Sequence, residues 1–175
     1  MIDLLSLNLN ELKELFPEPK YLGGQLFTFL HNGCCFDEMT SLKKDLREQL
    51  RLNYIANPVT ILKRFVGKSG TIKYLFRLSD GNLIEGVYMP HDYGNTLCLS
   101  TQIGCRMGCS FCASGLDGLL RNLTPGEMLG QVVAVNRDNG GNVKERAVTN
   151  LVLMGSGEPL DNYDQTVEFL RLISL

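Results

Sequence analysis

From Thr96 onward the chain alternates strand-like and helix-like segments, and strands joined by a crossover helix must run parallel in a sheet. Thr96–Ser100 reads as a short strand leading into a loop. Thr124-Pro125-Gly126-Glu127 has the chemistry of a helix start. Thr124 is the N-cap, Pro125 takes the first helical position, and Glu127 completes a capping box. That helix continues through Met128, Leu129, Val132, Val133 and Val135. Asn150–Met154 is the kind of apolar run expected in a buried parallel strand. A Gly-rich turn follows, and Asn162 with Gln165 three residues on opens a second helix carrying Val167, Leu170 and Ile173. The order βαβα implies a parallel sheet with right-handed crossovers. Two such units make neither a barrel nor a stable parallel sheet, and the sequence stops at Leu175 inside the second helix, so it reads as cut short.

Upstream the periodicity is different. Residues 1–55 read as a helical N-terminal domain, with Leu9, Leu12, Leu15 and Phe16 at helical spacing before Pro17-Glu18-Pro19. A second helix is expected from about Gly24 to His31, and a third carries Leu42, Leu46 and Leu50 with Thr40 or Ser41 as cap. Residues 56–95 change to strand chemistry. Val59–Val66, Thr71–Leu78 and Leu83–Met89 are separated by the turn clusters Gly67–Gly70 and Ser79–Asn82, which predicts an antiparallel meander. Leu83, Glu85, Val87 and Met89 share one face, so Glu85 is a lone carboxylate in an apolar row. Burial there would raise its pKa and make it a candidate proton acceptor, whereas a sheet edge in water would leave it ordinary. Residues 96–175 form the third region, with Gly140-Gly141-Asn142 as its expected flexible loop.

With 175 residues, 44% of them apolar, the chain has the composition of one globular domain or two small ones. Its N-terminus, MIDLLSLNLNEL, lacks a basic n-region, and no apolar run approaches the roughly 18 residues of a membrane span. A soluble, cytoplasmic protein is expected. The net charge of −2 hides an asymmetry, because Lys43–Arg77 holds nine basic residues opposed by Asp45 and Glu48 alone, a local +7. Such a stripe is either a solvated helix face with ordinary strand edges or a nucleic-acid footprint.

Six cysteines in this setting favour metal or redox use over structural disulfides. Cys105-x3-Cys109-x2-Cys112 directly follows a strand, and Gly104 and Gly108 would let the loop fold around a bound object. Zinc would want a fourth ligand, with Cys98 or His91 available. A 4Fe–4S cluster also normally takes four cysteines, and three would leave one iron open to a small molecule. Cys34 and Cys35 read as packing residues of the helical domain.

The run Cys105-Arg-Met-Gly-Cys109-Ser-Phe-Cys112 resembles the cluster motif of radical S-adenosylmethionine enzymes. The wider pattern includes Cys98 seven residues upstream, Cys112-Ala-Ser-Gly, Arg121-Asn-Leu-Thr and Met154-Gly-Ser-Gly-Glu-Pro-Leu160. It is similar to the RlmN family, adenine-C2 methyltransferases of ribosomal and transfer RNA. The resemblance spans nearly the whole chain, and Glu158-Pro159 favours the C2 enzymes over their C8 relatives, whose motif reads Gly-Glu-Ala. It implies an α/β fold: a helical domain and a small antiparallel meander, then the first two βα units of a partial radical-SAM TIM-like barrel.

The resemblance also implies a chemistry. Cys105, Cys109 and Cys112 would ligate a 4Fe–4S cluster whose open iron chelates S-adenosylmethionine, and Gly157, Glu158 and Pro159 would contact that cofactor. One-electron cleavage would give a 5′-deoxyadenosyl radical, which activates an S-methylated cysteine for addition to the electrophilic C2 carbon. Cys98 matches the cysteine that resolves the resulting protein–RNA adduct as a disulfide, and Glu85 matches the proton acceptor. The substrates implied are 23S ribosomal RNA and transfer RNA, with an electron donor such as flavodoxin. The methyl-carrying cysteine of the family lies beyond Leu175, so the chain alone is expected to lack turnover. Two other readings stay open: a non-catalytic zinc-binding RNA module, and a radical enzyme with a small-molecule substrate.

Overall fold

The computed structural model describes residues 1–174; Leu175, where the last helix was expected to break off, lies outside the described residues. In chain order the elements begin with β1 (Ile2–Asp3), α1 (Leu9–Leu15), α2 (Leu22–His31), α3 (Lys44–Asn53) and β2 (Tyr54–Ile55). Next come β3 (Val59–Val66), β4 (Ile72–Leu78), β5 (Leu83–Met89) and β6 (Thr96–Cys98). The chain continues with β7 (Gln102–Gly104), β8 (Leu119–Asn122), α4 (Pro125–Asp138), β9 (Asn150–Val152) and α5 (Tyr163–Ile173).

The meander is not a separate layer. One five-stranded sheet runs β3-β4-β5-β6-β9, with β5 and β6 antiparallel through Val87↔Cys98 and β6 and β9 parallel through Cys98↔Val152. This explains how two βα units hold together here: the parallel pair is supported on its flank by three antiparallel strands. β9, expected to be a buried parallel strand, is only half-buried or exposed, because among the described residues it pairs with β6 alone.

Alternation along the strands sends Tyr74, Phe76 and Leu78 of β4 and Ile84, Gly86 and Tyr88 of β5 to the core face. There they share one apolar core with Leu129 and Val132 of α4 and Leu4, Leu12 and Leu26 of the N-terminal segments. α4 begins as its sequence demands, with Thr124 capping Glu127 and Glu127 returning the bond. On the buried side of α4, Gln131 accepts from Ser100 N at 3.0 Å and donates to Ser100 O at 2.9 Å, fixing the chain just past β6.

Three expected local details differ. Thr40 and Ser41 do not cap α3, which starts after Lys43 without a side-chain cap, so Leu42 joins the core from outside the helix. Asn162 precedes α5, but its buried amide donates to Thr101 O and Leu123 O and leaves the helix uncapped by a side chain. The Gly140-Gly141-Asn142 segment is held by hydrogen bonds: Asn142 N donates to Glu145 O, and Asn136 Oδ1 accepts from Ala147 N and Val148 N.

The N-terminal residues seal the start of α4. Ser6 Oγ accepts from Gly126 N and donates to Asp3 Oδ2, and a Cβ at Gly126 would lie 2.0 Å from that carboxylate oxygen. Burial pushes Asp3 up to about 6, against hydrogen bonds from Ser6 and Leu5 that pull it down. Further along, Arg137 of α4 holds Glu38 down at about 2, chiefly through its hydrogen bonds, and so ties the helical segment to α4.

These two groups have opposite linkage to pH. The Glu38 contribution is present above its ordinary 4.5 and lost as pH falls toward 2. Asp3, raised from 3.8, favours the fold below that value and loses the contribution as pH rises through about 6. Between pH 4.5 and 6.5, Asp3→Asn should flatten the fall in stability with rising pH. Urea midpoints across that range measure this, and an unchanged slope would count against a buried Asp3.

Candidate functional site

The cysteine loop is the tip of a hairpin that the sequence did not announce. β7 and β8 pair antiparallel through Gln102↔Asn122, Ile103↔Arg121 and Gly104↔Leu119, so residues 105–118 leave and return at one point. Closure depends on Gly104, at φ +73°, where a Cβ would sit 1.9 Å from Gly118 O. Inside the loop Cys105 N donates to Gly118 O at 3.1 Å and Cys112 N to Cys109 O at 3.0 Å. All three cysteines are free thiols, Cys105 half-buried and Cys109 and Cys112 exposed. Among the described residues no three His, Cys, Asp or Glu side chains converge closely enough to hold a metal ion. The donor set nevertheless fits an iron–sulfur group: three uncommitted thiols on one loop, anchored at its base and free at its tip. Ligands of this kind commonly converge only as the metal binds.

The Gly155–Pro159 turn packs against the residues that lead into this hairpin. Gly155 N donates to Leu99 O, Ser156 O accepts from Thr101 N and Gln102 N, and Ser156 N donates to Ser100 Oγ. Glu158 N donates to Gln102 Oε1 at 2.9 Å, while Leu160 N donates to the Glu158 carboxylate at 3.0 Å. The glycines are needed for this approach. A Cβ at Gly155 would lie 2.7 Å from Leu99 C, and one at Gly157, where φ is +102°, would lie 2.5 Å from Gln102 Cβ.

Two arginines lock the hairpin in place. Arg106, inside the cysteine motif, forks onto Asp161 just after the Gly-Glu-Pro turn, with Nε 2.9 Å from Oδ2, and Gln102 Nε2 donates to the same carboxylate. These contacts hold the Asp161 carboxyl below its usual range. Arg121 on β8 reaches both carboxylate oxygens of buried Glu127 and also Asp80 in the β4–β5 turn. The Arg121 guanidinium is thereby driven further toward its charged form, mainly by the Glu127 bonds.

Cys98 and Glu85 lie on one face of the sheet, the face opposite the core. Cys98 pairs in register with Val87, two residues from Glu85, and Ser100 Oγ donates to Glu85 O at 2.8 Å. Burial pushes the Cys98 thiol up, opposed by a hydrogen bond from the Met154 backbone. The expected burial of Glu85 is corrected. The Leu83–Met89 row is the open face, and the Glu85 side chain is 56% exposed and paired with Lys73 Nζ at 2.8 Å. His91, an alternative zinc ligand, is exposed and stacks on Tyr93. Cys34 is half-buried against the core and Cys35 exposed.

The structure therefore brings Gly157, Glu158 and Pro159 against the base of the loop bearing Cys105, Cys109 and Cys112, with Cys98 and Glu85 on the adjoining sheet face. Sequence reasoning missed Gln102, Arg106, Asp161 and Gln131. Each is an isolated polar residue whose partner lies far along the chain, so no local pattern marks it.

No family model matches the chain. It is 52% identical over 179 aligned residues to the probable dual-specificity RNA methyltransferase RlmN of Alkaliphilus oremlandii, covering 99% of this chain and 50% of that protein. Against the protein of the same name from Bacillus cytotoxicus the identity is 46%, covering 98% of this chain and 48% of that one. A crystal structure of a radical SAM methyltransferase from Sphaerobacter thermophilus superposes with a TM-score of 0.91 at 40% identity. That alignment covers 100% of this chain and 52% of the other. The fold is thus that of part of a radical SAM methyltransferase. At these identities the chain is a homologue of the RlmN proteins, as its cysteine and glycine motifs implied, and it spans about half the length of the curated relatives it matches.

Two substitutions test the assembly of the site. Gly104→Ala should prevent the hairpin from closing and cost about 2–3 kcal/mol, read as a lowered urea midpoint. Arg121→Ala leaves the buried Glu127 carboxylate uncompensated and should cost roughly 2–3 kcal/mol, a partly exposed version of breaking a buried pair. Midpoints within about 0.5 kcal/mol of the native value would contradict either account.

Proposed function

We infer that this chain forms the cluster-bearing and cofactor-bearing part of an RNA methyltransferase that modifies C2 of adenine. The carrying observation is the docking of the Gly-Ser-Gly-Glu-Pro turn on Leu99–Gln102, which sets a carboxylate and a bare backbone edge at the base of the hairpin that carries the three free thiols. Cys105, Cys109 and Cys112 would hold a 4Fe–4S cluster with one iron left for S-adenosylmethionine, and the bound group would supply the one-electron reductive cleavage of the sulfonium. Glu158, with one carboxylate oxygen held by Leu160 N, would pair with the methionine ammonium. Gly155 and Gly157 let the turn come close to Leu99–Gln102, and that approach fixes where Glu158 stands.

On the sheet face, Glu85 would take a proton from the modified base, and the Cys98 thiol would resolve the protein–RNA adduct as a disulfide. Ligands in α/β folds bind beyond the carboxyl ends of parallel strands, and both β6 and β9 end at this turn. The substrates would be 23S ribosomal RNA and transfer RNA, the reductant a donor such as flavodoxin, and the setting cytoplasmic. No helix among the described residues is long and apolar enough to cross a membrane.

Anaerobic reconstitution of the chain with iron and sulfide tests this reading. About four irons per chain, a visible spectrum that changes on adding S-adenosylmethionine, and loss of both in Cys109→Ala are expected. One tightly held zinc in place of iron would favour the zinc-binding RNA module instead.

A further inference from the structure

The basic stretch of the sequence is split by the fold onto different surfaces. On α3 the cations are partly committed: Arg47 Nη1 donates to Asp37 O, and Arg51 lies 3.7 Å from the Asp37 carboxylate. On β3, Arg64 turns to the core side and is held by Asp138 at 2.8 Å. Of the other cations in the stretch, three share the open sheet face with Glu85 and Cys98. The register places Lys63 opposite Leu75 and Phe65 opposite Lys73, with Arg77 two residues beyond Leu75, so Lys63, Lys73, Arg77 and Phe65 all point the same way. Glu85 is the one acid in β3–β5, and it pairs with Lys73.

This face also has an aromatic platform. Phe65 is 48% exposed, and the Lys63 ammonium stands 4.8 Å from its ring centroid. An exposed ring with a cation over it is poorly placed for a core and well placed for stacking an unpaired base while the cations meet phosphates. Strand order adds a direction. The sheet runs β3-β4-β5-β6, so the platform on β3 leads across Lys73 and Arg77 on β4 to Glu85 on β5 and Cys98 on β6.

We propose that the open face of β3–β5, and not α3, is the surface on which unpaired RNA lies, with a base stacked on Phe65 and its phosphates over Lys63 and Arg77. The proposal rests on the methyltransferase reading only in taking RNA as the partner; it assigns the surface and the direction of approach. Chemistry on a base requires an unstacked nucleotide, and a stacking platform three strands from Cys98 would hold a neighbour of the reacting base outside the stack.

The test uses the whole 175-residue chain and a fluorescent RNA hairpin with an adenine-containing loop, followed by anisotropy over a range of salt. Phe65→Ala should weaken binding about tenfold with an unchanged salt slope. Lys63→Ala and Arg77→Ala should each weaken it and lower the slope by about one. The double substitution Arg47→Ala, Arg51→Ala should leave affinity within about twofold. Circular dichroism of each variant guards against misfolding, and Phe65→Tyr, which keeps the ring, should retain binding. The proposal is overturned if the α3 pair carries the loss, if Phe65→Ala binds like the native chain, or if the native chain shows no affinity. Cluster reconstitution is scored separately, so failure here leaves the methyltransferase reading standing on its own test.

Discussion

The contact on which the site depends is the close approach of the Gly155–Gly157 backbone to Leu99–Gln102. Van der Waals exclusion permits it only without side chains, since a Cβ at either glycine would come within 2.7 Å of the facing strand extension. Once made, the approach is satisfied polar group by polar group, through Leu99 O, Ser156 O, Ser100 Oγ and Gln102 Oε1. An unpaired amide buried at this depth would cost about 1–3 kcal/mol, so the set is held together cooperatively. Because β6 and β9 both end here, the same contact sets where the cysteine hairpin starts and where α5 begins. Gln131, reaching from α4 to both backbone groups of Ser100, braces it from beneath.

Charge ties then place the hairpin relative to the rest. Arg121 is the more consequential of the two arginines, since Glu127 is buried and Arg121 is its cation. Its second partner, Asp80, lies in the β4–β5 turn, so one guanidinium joins the meander, the hairpin and the head of α4. The Arg106–Asp161 fork is more exposed and worth less to stability, by the general weakness of surface pairs. Its consequence is geometric, for it links the first residue inside the cysteine motif to the residue just past the Gly-Glu-Pro turn.

Much of this was legible because some physical signals are local. The capping box at Thr124, the turn clusters that bound β4, the β-branched and aromatic content of β3 and the alternation in β5 are all written within a few residues, and those elements begin or end close to where the sequence places them. The cysteine and glycine motifs pointed to the RlmN relatives for the same reason. What escaped is non-local. The β7–β8 hairpin is made of two short strands separated by 14 loop residues and closed by a close approach of Gly104 to Gly118 that no periodicity reveals. Asn162 looked like a cap because Asn is a good cap, but a buried amide finds stronger use bridging Thr101 and Leu123. For Glu85 the alternation was right and the face was wrong. A row of Leu, Val and Met around one Glu reads as core until the opposite row, Ile84, Gly86 and Tyr88, is seen packed beneath Phe76 and α4.

The site's thiols differ in a way that bears on the order of events. Cys109 and Cys112 stand exposed on the hairpin tip, accessible to metal, to sulfide and to oxidants alike. Cys98 is shielded on its strand, and burial keeps its thiol above the ordinary range despite the Met154 N–H directed at its sulfur. A protonated thiol is a poor nucleophile in disulfide exchange, because attack requires the thiolate. In the proposed reaction the half-buried Cys98 thiol would be kept apart from the exposed thiols of the loop. It would act only once a partner sulfur is bound close by and a base can take its proton. Glu85, on the same face and tethered by Lys73, stands one strand over from Cys98, so a phosphate of bound RNA that reached Lys73 would compete for its ammonium and free the carboxylate on that face. An open cysteine loop and a shielded thiol are thus kept apart within a few residues, by the partial burial of Cys98 on β6 and by the glycine-dependent closure of the hairpin at Gly104.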